Sequence, residues 1–220
     1  AGATGPKAIA GGVNAQAAGE KAIAIGADAT ASSEATIAIG SNAKTQNINT
    51  IAIGKDAKAT SNHSVALGGE TESKGSQSIS VGYRAKSEGN NSISIGENAS
   101  SDNTSGNSTV VGNNSSATIN SGESVILGSQ STIKGSISPS ENSLVIGNNS
   151  QINDGSQAIA IGHHVTISNL SNEVVGIGAG VTIDNSVLGI AIGRASSVKN
   201  SQAGIAIGAD SETSGKLGIA

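Results

Sequence analysis

Glycine recurs along this chain at a fixed interval. Gly12, Gly26, Gly40, Gly54, Gly68, Gly82 and Gly96 stand fourteen residues apart. Almost every one closes the same apolar-small-apolar-Gly phrase, as in Ile23-Ala24-Ile25-Gly26 and Val65-Ala66-Leu67-Gly68. The interval then lengthens through Gly112, Gly128, Gly147, Gly162, Gly178, Gly193 and Gly208, in steps of 16, 16, 19, 15, 16, 15 and 15 residues. Such a period means one small unit stacked many times, since a unit this short has little to bury its apolar residues against except its neighbours.

Within the phrase the alternation has period two, which is strand patterning. A second short alternation begins three residues after each Gly, as in Ala29 and Ala31 or Val165 and Ile167. Each repeat therefore reads as two short strands, of four or five residues, joined by turns rich in Gly, Asn, Ser and Asp. The expected chain winds as a flattened coil, each strand pairing with its equivalent one rung on. At a strand spacing of ~4.8 Å, some fifteen rungs make a rod roughly 70 Å long. The Ile residues at the first and third phrase positions are expected to fill the space between the two layers. The small residues after the Gly are expected to meet them from the opposite layer. The Gly itself is expected to supply positive φ or close backbone approach.

The later repeats change character. The middle phrase position becomes Val110, Ile126 and Val145, and extra residues fall from Asp102 to Asn107 and from Gly135 to Glu141, the latter stretch containing Pro139. These two stretches are the candidate loop excursions and, as loops leaving a rigid scaffold, the candidate ligand contacts. Leu170, Val187, Leu188 and Leu217 place apolar residues in expected turns. Those residues, and an outward middle row on the first strand, argue for contact with another chain, and a symmetric oligomer supplies it.

Composition narrows the function classes. Phe, Trp, Met and Cys are absent and Tyr83 is the single aromatic of its kind, so the core is thin and built from Ile, Val and Ala. Without Cys there are no disulfides, thiolate metal sites or Cys nucleophile. A formal charge of −4, with no basic cluster and no stacking aromatics, argues against nucleic acid as a partner. No apolar run approaches the ~18 residues of a membrane-spanning helix. The repeat covers residues 1–220 as one domain, and its last copy is cut short at Ile219-Ala220, the expectation for a piece of a longer protein.

The phrases Asn91-Ser92-Ile93-Ser94-Ile95-Gly96-Glu97-Asn98-Ala99 and Asn142-Ser143-Leu144-Val145-Ile146-Gly147-Asn148-Asn149-Ser150 resemble the head repeat of trimeric autotransporter adhesins, the YadA-like head. His63-Ser64-Val65-Ala66-Leu67-Gly68 is a looser copy. The resemblance implies an all-β, left-handed parallel β-roll with two strands per rung of ~14–16 residues, assembled as a homotrimer. It also implies a head exposed at the surface of a Gram-negative bacterium, carried on a stalk and an outer-membrane anchor that this chain does not contain. The implied partners are host extracellular-matrix proteins such as collagen, fibronectin or laminin, or host-cell receptors, with autoaggregation as a further activity. No ligand-binding residue carries over, because the shared motif is structural.

Nothing in the sequence reads as catalytic machinery, a cofactor site or a metal site. Gly176-Ile177-Gly178-Ala179-Gly180 looks like a dinucleotide loop but lacks the following helix, and the repeat already explains Gly178. His163-His164 is the only paired imidazole; adjacent turn residues seldom both ligate one metal, so the pair reads as a solvated turn. Asn-x-Ser/Thr at Asn62, Asn90, Asn103 and Asn107 reflects turns rich in Asn and Ser more simply than glycosylation. Tyr83, beside Arg84, reads as packing across a turn, with an interface or ligand contact as the alternative. A left-handed β-helix acyltransferase would need hexapeptide periods, and calcium-stapled rolls would need Gly-Gly-x-Gly-x-Asp repeats; neither is present. A purely structural or ice-binding rod remains as a rival, although the row after the Gly is too mixed for a regular Thr face.

Overall fold

The structure is a computed structural model and describes residues 2–220. Among the described residues it contains thirty strands and no helix. The chain divides into two compact units, one ending at Asn107 and the other spanning Ser108–Ala220. Each unit is a parallel β-solenoid with two strands per rung. In the first, strands from Ile9–Gly11 to Ile93–Ile95 stack in chain order as one sheet, and strands from Gly2–Ala3 to Ser100–Ser101 stack as the other. In the second, the corresponding series run from Thr109–Val111 to Leu217–Ile219 and from Ser116–Thr118 to Glu212–Ser214. The first series of each unit is called the aliphatic sheet below and the second the polar sheet.

Register follows the glycine interval. Ile23, Ala24 and Ile25 pair with Ile37, Ala38 and Ile39, fourteen residues on. Where the interval stretches to 19, Val125, Ile126 and Leu127 still pair with Leu144, Val145 and Ile146, so the extra residues leave through the corners and the ladder is preserved. The strands are shorter than the four or five residues expected from the sequence, most holding two or three. The cause is a second period. From Lys7 to Asn98 a non-glycine residue in the left-handed region recurs every seventh position, with φ between 52 and 60°, and each one turns the chain from one sheet to the other.

The glycine does both things expected of it. In the first unit its φ lies between 124 and 137°, a region that suits only glycine. It also stacks on the glycine of the next rung: a Cβ added to Gly54 would lie 2.2 Å from the Gly68 carbonyl oxygen.

The core reverses one expectation. The middle residue of the phrase faces inward: Ala24, Ala38, Ala52 and Ala66 are fully buried, as are Val110, Ile126 and Val145. The flanking Ile residues point out of the solenoid, with Ile25 43%, Ile53 39% and Ile95 37% exposed. The reason is the width of the gap. A fourteen-residue rung that turns at every seventh residue brings its sheets too close for opposed Ile side chains, so Ala, Ser and Thr fill it. Ala29 and Ala31, expected to face inward, do so. Between Ser73 and Ser101 the inward positions are mostly Ser, and their hydroxyls are satisfied internally: Ser73 and Ser78 Oγ lie 2.6 Å apart, and Ser87 and Ser92 Oγ 2.8 Å. The longer rungs of the second unit have room for Ile133, Ile152, Ile167 and Ile183, all fully buried. Opposite them the middle position shrinks again, and a Cβ added to Gly176 would lie 3.1 Å from Val165 Cγ1 and 3.6 Å from Ile183 Cδ1.

Candidate functional site

The two sheets of each solenoid present opposite chemistry to the outside. The aliphatic sheet of the first unit shows Ile23, Ile37, Ile51, Val65, Ile79 and Ile93 in one outward column, with Ile25, Ile39, Ile53, Leu67, Val81 and Ile95 in the next. Parallel in-register pairing turns each column into a continuous ridge. A contiguous aliphatic face of this kind marks an interaction surface on a soluble protein. The second unit repeats it, from Val111 and Leu127 to Ile192 and Ile207.

The polar sheet of the first unit shows Thr30, Lys44, Lys58, Glu72, Lys86 and Ser100 outward. Glu72 lies 3.7 Å from Lys58 Nζ and 3.0 Å from Lys74 Nζ, and Lys74 reaches on to Glu88 at 2.9 Å. Partial burial pushes the Glu72 carboxyl up, but Lys74, with Lys58 and Lys86, together outweigh it and hold it below the usual carboxylate range. At the adjacent corner Arg84 Nε donates to Glu70 Oε2 at 2.8 Å and the Tyr83 hydroxyl donates to Glu70 Oε1 at 2.9 Å. Arg84, and after it Tyr83, holds the Glu70 carboxyl below its ordinary value. The Arg84 guanidinium also lies 4.7 Å from the centroid of the Tyr83 ring. Asp56, Lys58, Glu70, Glu72, Arg84 and Lys86 line a shallow groove of about 660 Å³ on this side of the unit. Three carboxylates and three cations give it both signs and no net formal charge.

Both expected excursions are present and pinned. In residues 102–107 the Asp102 carboxylate accepts from Thr104 N, Thr104 Oγ1 and Ser105 Oγ at 2.8–3.0 Å. In residues 135–141 the Ile137 and Ser138 amides donate to Asp154 Oδ1, and Ser140 Oγ donates to the Lys134 carbonyl at 2.8 Å. Ile137 at its tip is 79% exposed. Leu170, Val187 and Leu188 are exposed at corners, as expected, whereas Leu217 lies in the strand Leu217–Ile219 on the outward aliphatic row, not in a turn. Ile119 joins the corner set, exposed and left-handed at φ 53°. An Ile at a left-handed turn has no turn signature, so nothing in the sequence marks it as a corner.

The remaining sequence signals resolve individually. Gly176 to Ala179 belong to the strand Val175–Ala179, and another strand, Thr182–Asp184, follows. A Cβ added to Gly69 would lie 3.4 Å from the Tyr83 ring, so Tyr83 packs over the corner of the preceding rung while leaving one edge exposed. Ser64, Ser92 and Ser105, the hydroxyl residues of three Asn-x-Ser sequons, are buried in the solenoid, which gives those sequons a structural origin. His163 ends the strand Ile159–His163, and its ring meets that of His164 nearly at right angles with centroids 4.0 Å apart. Among the described residues no group of three or more His, Cys, Asp or Glu is placed to hold a metal ion. Also among the described residues, no helix is long and apolar enough to cross a membrane, which says nothing about a β-barrel.

A family model of the YadA head domain repeat, two copies long, matches residues 3–29, 17–43, 46–71 and 73–99. The first two matches are offset by one fourteen-residue rung, and all four fall in the first unit. That family suggests a bacterial surface adhesin and is typically trimeric. No curated protein matches the chain.

Proposed function

We propose, for a chain that carries a YadA-like head over residues 3–99, that residues 1–220 form one repetitive adhesin head, a left-handed homotrimeric β-roll displayed at the outer surface of a Gram-negative bacterium. It binds host extracellular-matrix proteins such as collagen, fibronectin or laminin, or receptors on host cells, and promotes autoaggregation. It is not an enzyme. The observation that carries this reading is the division of labour between the sheets. Three copies that bring their aliphatic faces together remove two ridges of Ile, Val and Leu from water on every rung. The polar sheets and the excursions at 102–107 and 135–141 then remain outside, presented three times over.

The chemistry of that outer face suits a protein ligand. Each of its ion pairs keeps at least one partner exposed, so each contributes little alone, and a groove with both signs favours a partner with both signs over a polyanion. Weak contacts repeated on every rung, every protomer and many copies per cell add through avidity rather than through one strong site. The test is a panel of immobilised collagen, fibronectin and laminin together with cultured host cells, probed with the whole chain. Saturable binding to at least one, weakened by Lys58→Glu with Lys86→Glu or by deletion of 136–139, is expected. Absence of binding to every surface together with absence of self-association would overturn the reading.

A further inference from the structure

We propose that His163 and His164 form a bidentate site for a divalent first-row transition ion of the Cu²⁺ or Ni²⁺ class. His163 closes a strand, and His164 follows in the left-handed region with φ 55°. The turn is held by the rungs on both sides: His164 N donates to the Asn148 carbonyl at 3.1 Å, and Gly180 N donates to the His163 carbonyl at 2.8 Å. The two rings do not splay apart, as neighbouring side chains on an extended strand would. Their Nδ1 atoms face each other at 2.9 Å.

Two facing ring nitrogens at this distance hold one proton between them, because two lone pairs would repel. A metal ion takes the place of that proton and receives both lone pairs. With metal–imidazole bonds of about 2.0–2.1 Å, donors this far apart subtend roughly 90° at the ion. That is the angle between neighbouring ligands of tetragonal or octahedral ions and is narrower than a tetrahedral site requires. Imidazole suits these ions, and divalent affinities rise through Ni²⁺ to Cu²⁺ and fall at Zn²⁺.

The surroundings support the same assignment. Asn149 Nδ2 lies 2.6 Å from His164 Nε2, so a side-chain amide orients the ring from its far side. Turned about its χ2 axis, that amide accepts Nε2–H and leaves Nδ1 free to ligate, the outer-shell arrangement common to metal-bound histidines. On the opposite side, His163 pairs in register with Ala179, and a Cβ added to Gly180 would meet nothing within 4 Å. That side is open for water to complete the coordination. His63, the third histidine of the chain, lies 3.4 Å from Asn49 Nδ2 and serves as the internal control.

The test is titration of the whole chain with Cu²⁺ alone, read by electron paramagnetic resonance and by competition with a chelator of known affinity. The expected result is one ion per chain with superhyperfine structure from two imidazole nitrogens. His163→Gln and His164→Asn are each expected to weaken binding at least tenfold, by the scale of losses seen when metal shells are disturbed. His63→Gln is expected to change it less than twofold. Asn is chosen at 164 because it tolerates the left-handed backbone, and circular dichroism confirms the fold of each variant. Affinity that survives both substitutions, an equal loss in His63→Gln, or a one-nitrogen spectrum would overturn the assignment. Should a variant fail to fold, the nitrogen count of the unaltered chain decides alone.

Discussion

At the scale of single residues the solenoid depends on two backbone requirements per rung. One is the glycine, whose φ and stacking distance leave no room for a Cβ. Gly54→Ala combines a strained φ with a carbonyl at 2.2 Å and is expected to lower stability by about 2–4 kcal/mol in urea unfolding. The other is the left-handed residue at every seventh position, and it was not legible in the sequence. Asn14, Asp28 and Asn42 carry the turn chemistry that would reveal it, but Lys21, Ala35, Glu70 and Arg84 occupy the same conformation without that chemistry. There the inter-rung bonds impose the geometry: Lys21 N donates to Pro6 O at 2.9 Å and Glu70 N to Lys55 O at 2.8 Å. The charged corner makes a further prediction. The Glu70 carboxyl is held below its ordinary value of 4.5 by Arg84 and then Tyr83. A depressed folded value stabilises the fold above the unfolded value and ceases to do so as pH falls through the folded one. The melting temperature is therefore expected to fall between pH 5 and pH 3, and to fall less in Glu70→Gln; equal slopes for the two proteins would contradict the pairing.

At the scale of strands and rungs, the repeat, the two strands and the parallel register all followed from the glycine interval. The side of the strand that is buried did not. A period of two says that neighbours point opposite ways and is silent on which way is inward. Residue size alone favours Ile, yet the narrow gap of a fourteen-residue rung selects Ala52 and turns Ile51 and Ile53 outward. Core substitutions should therefore behave oppositely in the two units. Ala52→Leu is expected to overpack its rung and cost about 1–3 kcal/mol. Ile183→Ala, in a wider rung, is expected to leave a cavity and cost about 2–5 kcal/mol. Denaturant midpoints check both, and an Ala52→Leu protein as stable as the parent would contradict the narrow gap. The candidate outer site was legible in part: the excursions could be seen as extra residues, whereas the ion pairs Lys58–Glu72 and Lys74–Glu88 need the rung register before their members become neighbours.

At the scale of the whole molecule, the chain has one kind of sheet that suits water and one that does not. Reversing the inward and outward assignments strengthens the case for association, since both outward rows are Ile, Val and Leu where the sequence suggested one row of Ala, Val and Ile. Three copies are expected to join through the aliphatic sheets. Sedimentation equilibrium of the whole chain tests it directly, with Ile25→Asp, Ile53→Asp and Ile95→Asp combined in one variant as the comparison. The expected result is a particle of three times the 21.2 kDa chain mass for the parent and a loss of that species in the variant. A parent that sediments as a single chain at micromolar concentration, or a variant that remains fully trimeric, would contradict it.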